Sequence, residues 1–416
     1  NLVSLKTIDL QESRDLIEIP DLFMAKKLER VCLNHCKSLH QIHLNSKSLY
    51  VLDLLGCSSL KEFSMTSEEM IDLMLSHTTI CTLSSPIGHL LSLEVLDLSG
   101  INVEILPANI KNLSMMRKLK LDDYCRKLMY LAELPPCLRE LRLNNCQRLV
   151  SLPKLPPSLR ELHLNNCWRL VSLPKLPPSL RELHLNNCQR LVSLPKLPPG
   201  VKEVSAINCI SLKTGITQRL VLQHMFQSRI PYLNKDPTYR EDEYFFFPGD
   251  HVTNSKYGFH TEESSITIPY LPKSHFCGFI YCIILFEGSV LKDNRFSCAI
   301  YRDDILISLD HCRFIRCENL ISDHVLLWYH DISKFGGISE VYDHFCHITF
   351  VFKFNYNKES IKGCGVFPVY ELNLLRIMRE LDPLPQLLSP AKETKKINCL
   401  PFKARLGGFC NSNGGG

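Results

Sequence analysis

One 21-residue unit occurs three times in succession, as Leu134 to Lys154 (LPPCLRELRLNNCQRLVSLPK), Leu155 to Lys175 and Leu176 to Lys196, the last two differing only at Trp168 against Gln189. A fixed period of this length does not build a globule around one centre. Each unit is a turn of a solenoid and buries its apolar side only against the next turn. The apolar skeleton is LxxLxLxxC, here Leu138, Leu141, Leu143 and Cys146. Its first position recurs at Leu5, Leu28, Leu49, Met70, Leu93, Met116, Leu138, Leu159, Leu180 and Val201, at spacings of 21 to 23, which predicts about ten turns. Each supplies a short strand such as Leu141-Arg142-Leu143, with Leu inward and the intervening residue outward.

This skeleton resembles that of leucine-rich repeats. The expected fold is a leucine-rich-repeat solenoid, parallel β with an irregular convex side, followed by an antiparallel β-sandwich domain. Pro135-Pro136, Pro156-Pro157, Pro177-Pro178 and Pro198-Pro199 precede strands. Proline lacks a donor and fixes φ, so these return legs are extended rather than helical.

A formal charge of +5 over 416 residues does not point to nucleic acid. The excess is local. Arg139, Arg142, Arg148, Lys154, Arg160, Arg169, Lys175, Arg181, Arg190 and Lys196 are opposed within the copies only by Glu140, Glu161 and Glu182. Like charges one strand apart repel by about 1 kcal/mol even in water. The columns read either as a solvated basic flank copied from one unit or as a landing surface for an acidic partner.

Of nineteen cysteines, Cys36, Cys57, Cys146, Cys167, Cys188 and Cys209 share one inward slot, where a small thiol bonds to neighbouring backbone. There is no CxxC pair; Cys32-x3-Cys36, and Cys312-x4-Cys317 beside His311, are weak zinc signals. Cysteines used this way imply a reducing compartment. No secretory leader is read at the start, and the longest apolar run, Phe279 to Phe286, reads as a buried strand rather than a membrane span. The expected location is the cytoplasm, with the nucleus as a second site.

After Cys209 the frame fails. Gly215 to Arg229 has helical spacing at Leu220, Met225 and Phe226 and is expected to close the open end of the stack. β-rich runs follow at Tyr244–Phe247, Ser265–Ile268, Gly278–Phe286, Phe296–Tyr301, His324–Tyr329, His347–Phe354 and Gly363–Leu372. The expected domains are a solenoid over 1–214, a capping helix and linker over 215–238, a β-sandwich over 239–378 and a disordered tail over 379–416.

With both halves in view, the chain resembles plant intracellular immune receptors of the TIR–nucleotide-binding–leucine-rich-repeat class. The connector Leu152-Pro153-Lys154-Leu155-Pro156-Pro157-Ser158-Leu159 is similar to those of that class. The second half resembles its C-terminal jelly-roll/immunoglobulin-like domain at Phe247-Pro248-Gly249, Ser264 to Pro269, Gly278 to Cys282, Ser322-Asp323-His324 and Ile361 to Tyr370. After the Pro-Gly turn the class has a Trp-Phe pair, whereas this chain has Asp250 to Ser255, so the edge loop is expected to differ. The resemblance implies binding of a pathogen effector or a guarded host protein. It also implies a nucleotide-binding module in cis and oligomerisation only with the missing modules. The class's NAD-cleaving module and GxxxxGK[ST] phosphate loop are absent from these residues, which suggests a fragment or a truncated product.

No catalytic site, cofactor or metal is expected. Asp310-His311-Cys312, and Asp343-His344 with Cys346, are adjacencies that sixteen histidines produce by chance. The candidate partner-binding residues are strand positions that project outward: Lys118, Glu140, Glu161 and Glu182 in one column; Lys120, Arg142, His163 and His184 in the next; and Asn144, Asn165 and Asn186 beside them. The competing reading is that they are merely solvated strand positions, as most such residues on a solenoid are. To these the loop Asp250 to Glu263 adds His251, Asn254, Tyr257 and Phe259. His163 and His184 read as neutral imidazoles rather than pH sensors, and Trp168 as convex packing rather than a contact. Competing readings are a non-immune adaptor such as a ubiquitin-ligase substrate receptor, an enzyme, and an extracellular inhibitor of microbial hydrolases.

Overall fold

A three-residue strand makes too few ladder bonds to stand alone, so each turn is held by what it gives to its neighbours. The computed structural model describes residues 2–19, 22, 24–80, 85–123, 125, 127–228, 243–252, 258–269, 276–289, 295–302, 304–313, 319–331, 347–354 and 360–370. The expected tail over 379–416 and the linker beyond residue 228 therefore lie outside the described residues. The strands of the repeat region are β1 (Thr7–Asp9), β2 (Arg30–Cys32), β3 (Gln41–Asn45), β4 (Val51–Asp53), β5 (Glu62–Thr66), β6 (Asp72–Met74), β7 (Val95–Asp97), β8 (Lys118–Lys120), β9 (Glu140–Arg142), β10 (Glu161–His163), β11 (Glu182–His184) and β12 (Glu203–Ser205). All but β3 and β5 stack in parallel in one sheet, ten strands separated by nine turns.

The strand centres pair in register, Leu141 with Leu162, Leu162 with Leu183 and Leu183 with Val204, and all four are fully buried. Each strand begins two residues after a skeleton position, one residue earlier than the pattern suggests, and Leu28 through Val201 in that frame are buried. β3 and β5 lie on the return legs of successive turns and pair with each other, Ile42 opposite Phe63. The return legs that carry paired prolines have neither helix nor strand.

Two further ladders tie turn to turn. The thiols of Cys57, Cys146, Cys167 and Cys188 each donate to a carbonyl of the preceding turn (Leu33, Leu121, Leu143 and Leu164) at 3.1–3.2 Å. Cys36 and Cys209 do the same to Leu10 and Leu185 at 3.0 and 2.9 Å. Cys125 occupies the slot one residue late, with its thiol 4.0 Å from the Leu98 carbonyl.

Just before that slot the backbone turns left-handed in every repeat, at Glu12, His35, Gly56, His77, Gly100, Asp123, Asn145, Asn166, Asn187 and Asn208, with φ between 55° and 72°. The turn aims an N–H at the next coil, as in Asn145 to the Asn165 carbonyl and Asn166 to the Asn186 carbonyl, both 2.7 Å. Asparagine tolerates this conformation, and its side chain adds a rung: Asn166 Nδ2 donates to Asn145 Oδ1, and Asn187 Nδ2 to Asn166 Oδ1, each 2.8 Å.

The expected helix forms as α1 (Thr214–Gln227), with Val221, Leu222, Met225 and Phe226 buried in the repeat core. The sheet edge is not what it closes. A strand edge needs donors and acceptors that a helix side cannot supply. Here β13 (Tyr244–Pro248) pairs in parallel with β12, Val204 opposite Phe245. The helix packs beside it, with His224 Nε2 2.9 Å from the Val201 carbonyl and its ring edge-on to Phe245.

The remaining strands are β14 (Phe259–Thr261), β15 (Ser265–Ile268), β16 (Phe276–Leu285), β17 (Arg295–Arg302), β18 (Ile305–Arg313), β19 (His324–Asp331), β20 (Ile348–Phe354) and β21 (Ile361–Tyr370). β13, β19, β16, β21 and β14 run antiparallel as a continuation of the repeat sheet; β15, β20, β17 and β18 form a second sheet. Aromatic rings join the two: Phe279 meets Phe350 at 4.9 Å, and Tyr281 meets Phe352 at 5.7 Å between centroids. β14 and β18 are strands beyond the β-rich runs that the sequence predicts.

At the joint, Asn208 replaces the next coil with the segment at 319–324. Its Nδ2 donates to the Asn319 carbonyl at 3.2 Å, and its Oδ1 accepts from Ile321 N at 3.1 Å. Its backbone N–H donates to His324 Nε2 at 2.9 Å, while His324 Nδ1 donates to the Ser322 carbonyl at 2.7 Å. That pattern requires a neutral ring, and burial pushes His324 down to about 4 despite the Ser322 carbonyl and Asp323.

Two measurements test this account. Asn166→Ala removes a rung and places a Cβ-bearing residue without a side-chain acceptor in a left-handed turn, so urea unfolding should lose about 1–3 kcal/mol, with Asn166→Gly losing less. Unfolded His324 takes up its proton near 6.5, so its contribution is complete above that pH and declines as pH falls toward 4. A loss of about 2 kcal/mol is expected between pH 6.5 and 5, and that part of the slope should vanish in His324→Gln.

Candidate partner-binding face

Residues on either side of each inward Leu point away from the core, which sets two columns on the exposed face of the repeat sheet. Lys118, Glu140, Glu161, Glu182 and Glu203 are in register in one; Lys120, Arg142, His163, His184 and Ser205 are in register in the other.

The first part of this face is internally paired. Lys118 Nζ lies 2.6 Å from one oxygen of Glu140, Arg142 Nε bonds the other, and Lys120 Nζ lies 3.3 Å from Asp97. Burial alone would raise the Glu140 carboxyl, but the hydrogen bonds from Lys118 and Arg142 outweigh it and hold it below the usual carboxylate range. These three candidates are thus partly committed to one another.

The second part has imidazoles in place of cations. His163 Nε2 is 3.5 Å from Glu161, His184 Nε2 is 3.5 Å from Glu182, and His184 Nδ1 is 3.4 Å from Glu203. The two rings stack with centroids 4.5 Å apart and planes 11° from parallel. Burial pushes His163 down to about 4, with His184 and Arg142 adding to it. Burial raises Glu161, helped by Glu140 and Glu182, and burial raises Glu203 as well.

Asn144, Asn165 and Asn186 are tied into the scaffold. Their Oδ1 atoms accept the backbone N–H of Asn165, Asn186 and Ile207, each at 2.9 Å, and Asn186 is buried. No pattern in the side chains alone separates such a ladder from a contact column. In the loop candidate, His251 is exposed and donates to Asp250 at 2.6 Å. Phe259 is half-buried against the aromatic core, and Asn254 and Tyr257 lie outside the described residues. Trp168 does not pack away as expected. It remains 45% exposed because it follows the inward cysteine and faces outward.

Of the weak zinc pairs, Cys36 has its thiol on the Leu10 carbonyl, and Cys317 lies outside the described residues. Asp310, which the sequence sets beside His311, accepts from Trp328 Nε1 at 3.1 Å and pairs with His330. Asp343, His344 and Cys346 lie outside the described residues. Among the described residues no helix is long and apolar enough to cross a membrane.

No family model matches the chain. It is 34% identical over 132 residues to disease resistance protein RPS4B of Arabidopsis thaliana, covering 31% of this chain and 11% of that protein. It is 30% identical over 139 residues to disease resistance protein RPP2A of the same plant, covering 32% and 10%. It is 39% identical over 88 residues to TMV resistance protein N of Nicotiana glutinosa, covering 20% and 8%. The chain thus spans about a tenth of the length of these relatives. Among solved structures, YopM from Yersinia enterocolitica WA-314 aligns with a TM-score of 0.32 and 24% identity over 47% of this chain and 45% of that one. The leucine-rich repeat domain of the type III effector XopL aligns with a TM-score of 0.30 and 19% identity over 49% and 77%.

The Glu140 cluster makes a measurable claim. Lys118→Met leaves a buried carboxylate with one partner fewer and should cost about 1–3 kcal/mol in urea unfolding, part of which Glu140→Gln in the same chain restores.

Proposed function

We propose that this chain, whose sequence relatives are plant disease-resistance proteins, is the ligand-sensing and autoinhibitory portion of an intracellular immune receptor of the TIR type. Its partner is a pathogen effector or a guarded host protein, held on the exposed face of the repeat sheet together with the domain that follows. That domain is taken as a β-sandwich of the C-terminal jelly-roll/immunoglobulin-like kind over 239–378, after a solenoid over 1–214 and a capping segment over 215–238. The full receptor would supply the nucleotide-binding module in cis and the NAD-cleaving module. The working compartment is the cytoplasm or the nucleus.

The observation that carries this reading is the resistance-protein likeness of a chain whose repeat sheet presents ordered polar columns. Lys118, Glu140, Arg142, Glu161, His163, Glu182 and His184 are fixed in register by the strands beneath them. A polar, preorganised trough suits a folded protein surface, since little side-chain freedom is lost on contact. His251 adds an exposed imidazole on the post-repeat side.

The test is effector-triggered cell death in leaf tissue expressing the full gene product. Glu161→Arg and His251→Ala, at unchanged protein level, should each weaken the response to the matching effector. An unchanged response in both would remove the face and the loop from recognition.

A further inference from the structure

The second residue after each inward cysteine stands on the flank of the stack, away from the strand columns. At Lys127 that position is paired, with Glu104 3.0 Å away. The three following turns place Arg148, Arg169 and Arg190 there, all exposed, and none forms an ion pair among the described residues. Guanidinium groups one turn apart, about 4.8 Å, repel one another, so the copied units have built a cationic column without its counter-charge.

Apolar side chains run beside it. Two positions further on come Met129, Val150, Val171 and Val192, stacked through backbone bonds from Val150 N to the Met129 carbonyl at 3.2 Å and from Val192 N to the Val171 carbonyl at 3.3 Å. Val171 and Val192 are exposed. The two stripes touch, since Arg148 Nη2 donates to Met129 Sδ of the preceding turn at 3.7 Å. Trp168, next to Arg169, is exposed as well, whereas Gln147 and Gln189 hold its position in the turns on either side. An indole and two valines beside three unpaired arginines are covered and neutralised together only by a surface that is both acidic and apolar.

We propose that this flank docks an amphipathic α-helix of a partner protein, with Asp or Glu on one stripe and apolar residues on the next. Spacing selects the helix. Arg148 and Arg190 are two turns apart, about 9.6 Å at one-strand spacing. Residues i and i+7 of a helix are about 10.5 Å apart, with i+3 or i+4 between them on the same face. An extended strand repeats its face every ~6.7 Å, so its third carboxylate overshoots Arg190 by roughly 4 Å, against about 1 Å for the helix. Carboxylates at i, i+4 and i+7 therefore meet Arg148, Arg169 and Arg190 in turn, and the planar guanidinium suits bidentate pairing with each. The neighbouring apolar stripe covers Trp168, Val171 and Val192. The flank shares no residue with the effector-binding face proposed above, so it stands whether or not that face binds an effector.

The probe is a fluorescein-labelled, alanine-rich helical peptide carrying Glu at i, i+4 and i+7 and Leu at each following position, titrated with the full chain under reducing conditions and followed by anisotropy. Micromolar binding is expected, and the same peptide with Gln in place of Glu should bind about tenfold more weakly or worse. Trp168→Gln installs the residue that both adjacent turns already carry, so the fold is kept, and affinity should fall about tenfold. Arg169→Gln should weaken binding about threefold, while Lys6→Gln, which removes one cation at the far end of the stack, should not. Unchanged affinity in Trp168→Gln, equal affinity for the Gln peptide, no binding at all, or a preference for a single-stranded oligonucleotide or phosphatidylserine vesicles would each overturn the proposal.

Discussion

The repeat region depends on hydrogen bonds that each turn makes to the next outside its strand. Three residues of strand fix direction but little else; the left-handed N–H, the cysteine thiol and the asparagine carboxamide set spacing and register. Burial keeps the thiol protonated, and so a donor: Cys57 is pushed up to about 12, chiefly by desolvation and then by Cys36. All three kinds of bond reach from one turn to another, so the last turn is left with unmet partners. Pairing of β13 with β12 and the capture of Asn208 by residues 319–324 meet that need. The sheet therefore runs unbroken from the repeats into the antiparallel strands.

Much of this was legible in the residues. The strand positions and the inward cysteines follow from apolar periodicity, because burial of Leu and Cys is what the period records. The left-handed column was harder to see. It is filled by Glu12, His35, Gly56, His77 and Asp123 before it settles into asparagine, and conformation rather than side-chain type is what those positions share. Cys125 was missed because one inserted residue shifts it out of frame. β14 is only three residues long, and on β18 Ile305, Leu306 and Leu309 are exposed, so burial does not mark it. The site was only half legible. Column membership follows from the 21-residue spacing, but the commitment of Asn144, Asn165 and Asn186 to backbone depends on geometry across the turns.

The exposed face divides electrostatically along its length. Toward β8 and β9, carboxylates meet Lys and Arg at hydrogen-bond distance, and charge is satisfied within the fold. Toward β11 and β12, the same column of Glu continues while its partners become His and then Ser. Duplication accounts for part of the pattern: two copied units repeat Glu161 with His163 and Glu182 with His184, while their Arg and Lys residues stand outside these two columns.

The asparagine rungs have a consequence for how such a chain changes over generations. Asn145, Asn166, Asn187 and Asn208 present the same donor and acceptor to whatever follows, and the post-repeat segment grips only the final member. A gene that gains or drops one 21-residue unit through unequal exchange alters the length and curvature of the trough while leaving the terminal clasp as it was. Reach becomes a heritable variable that needs no compensating substitution.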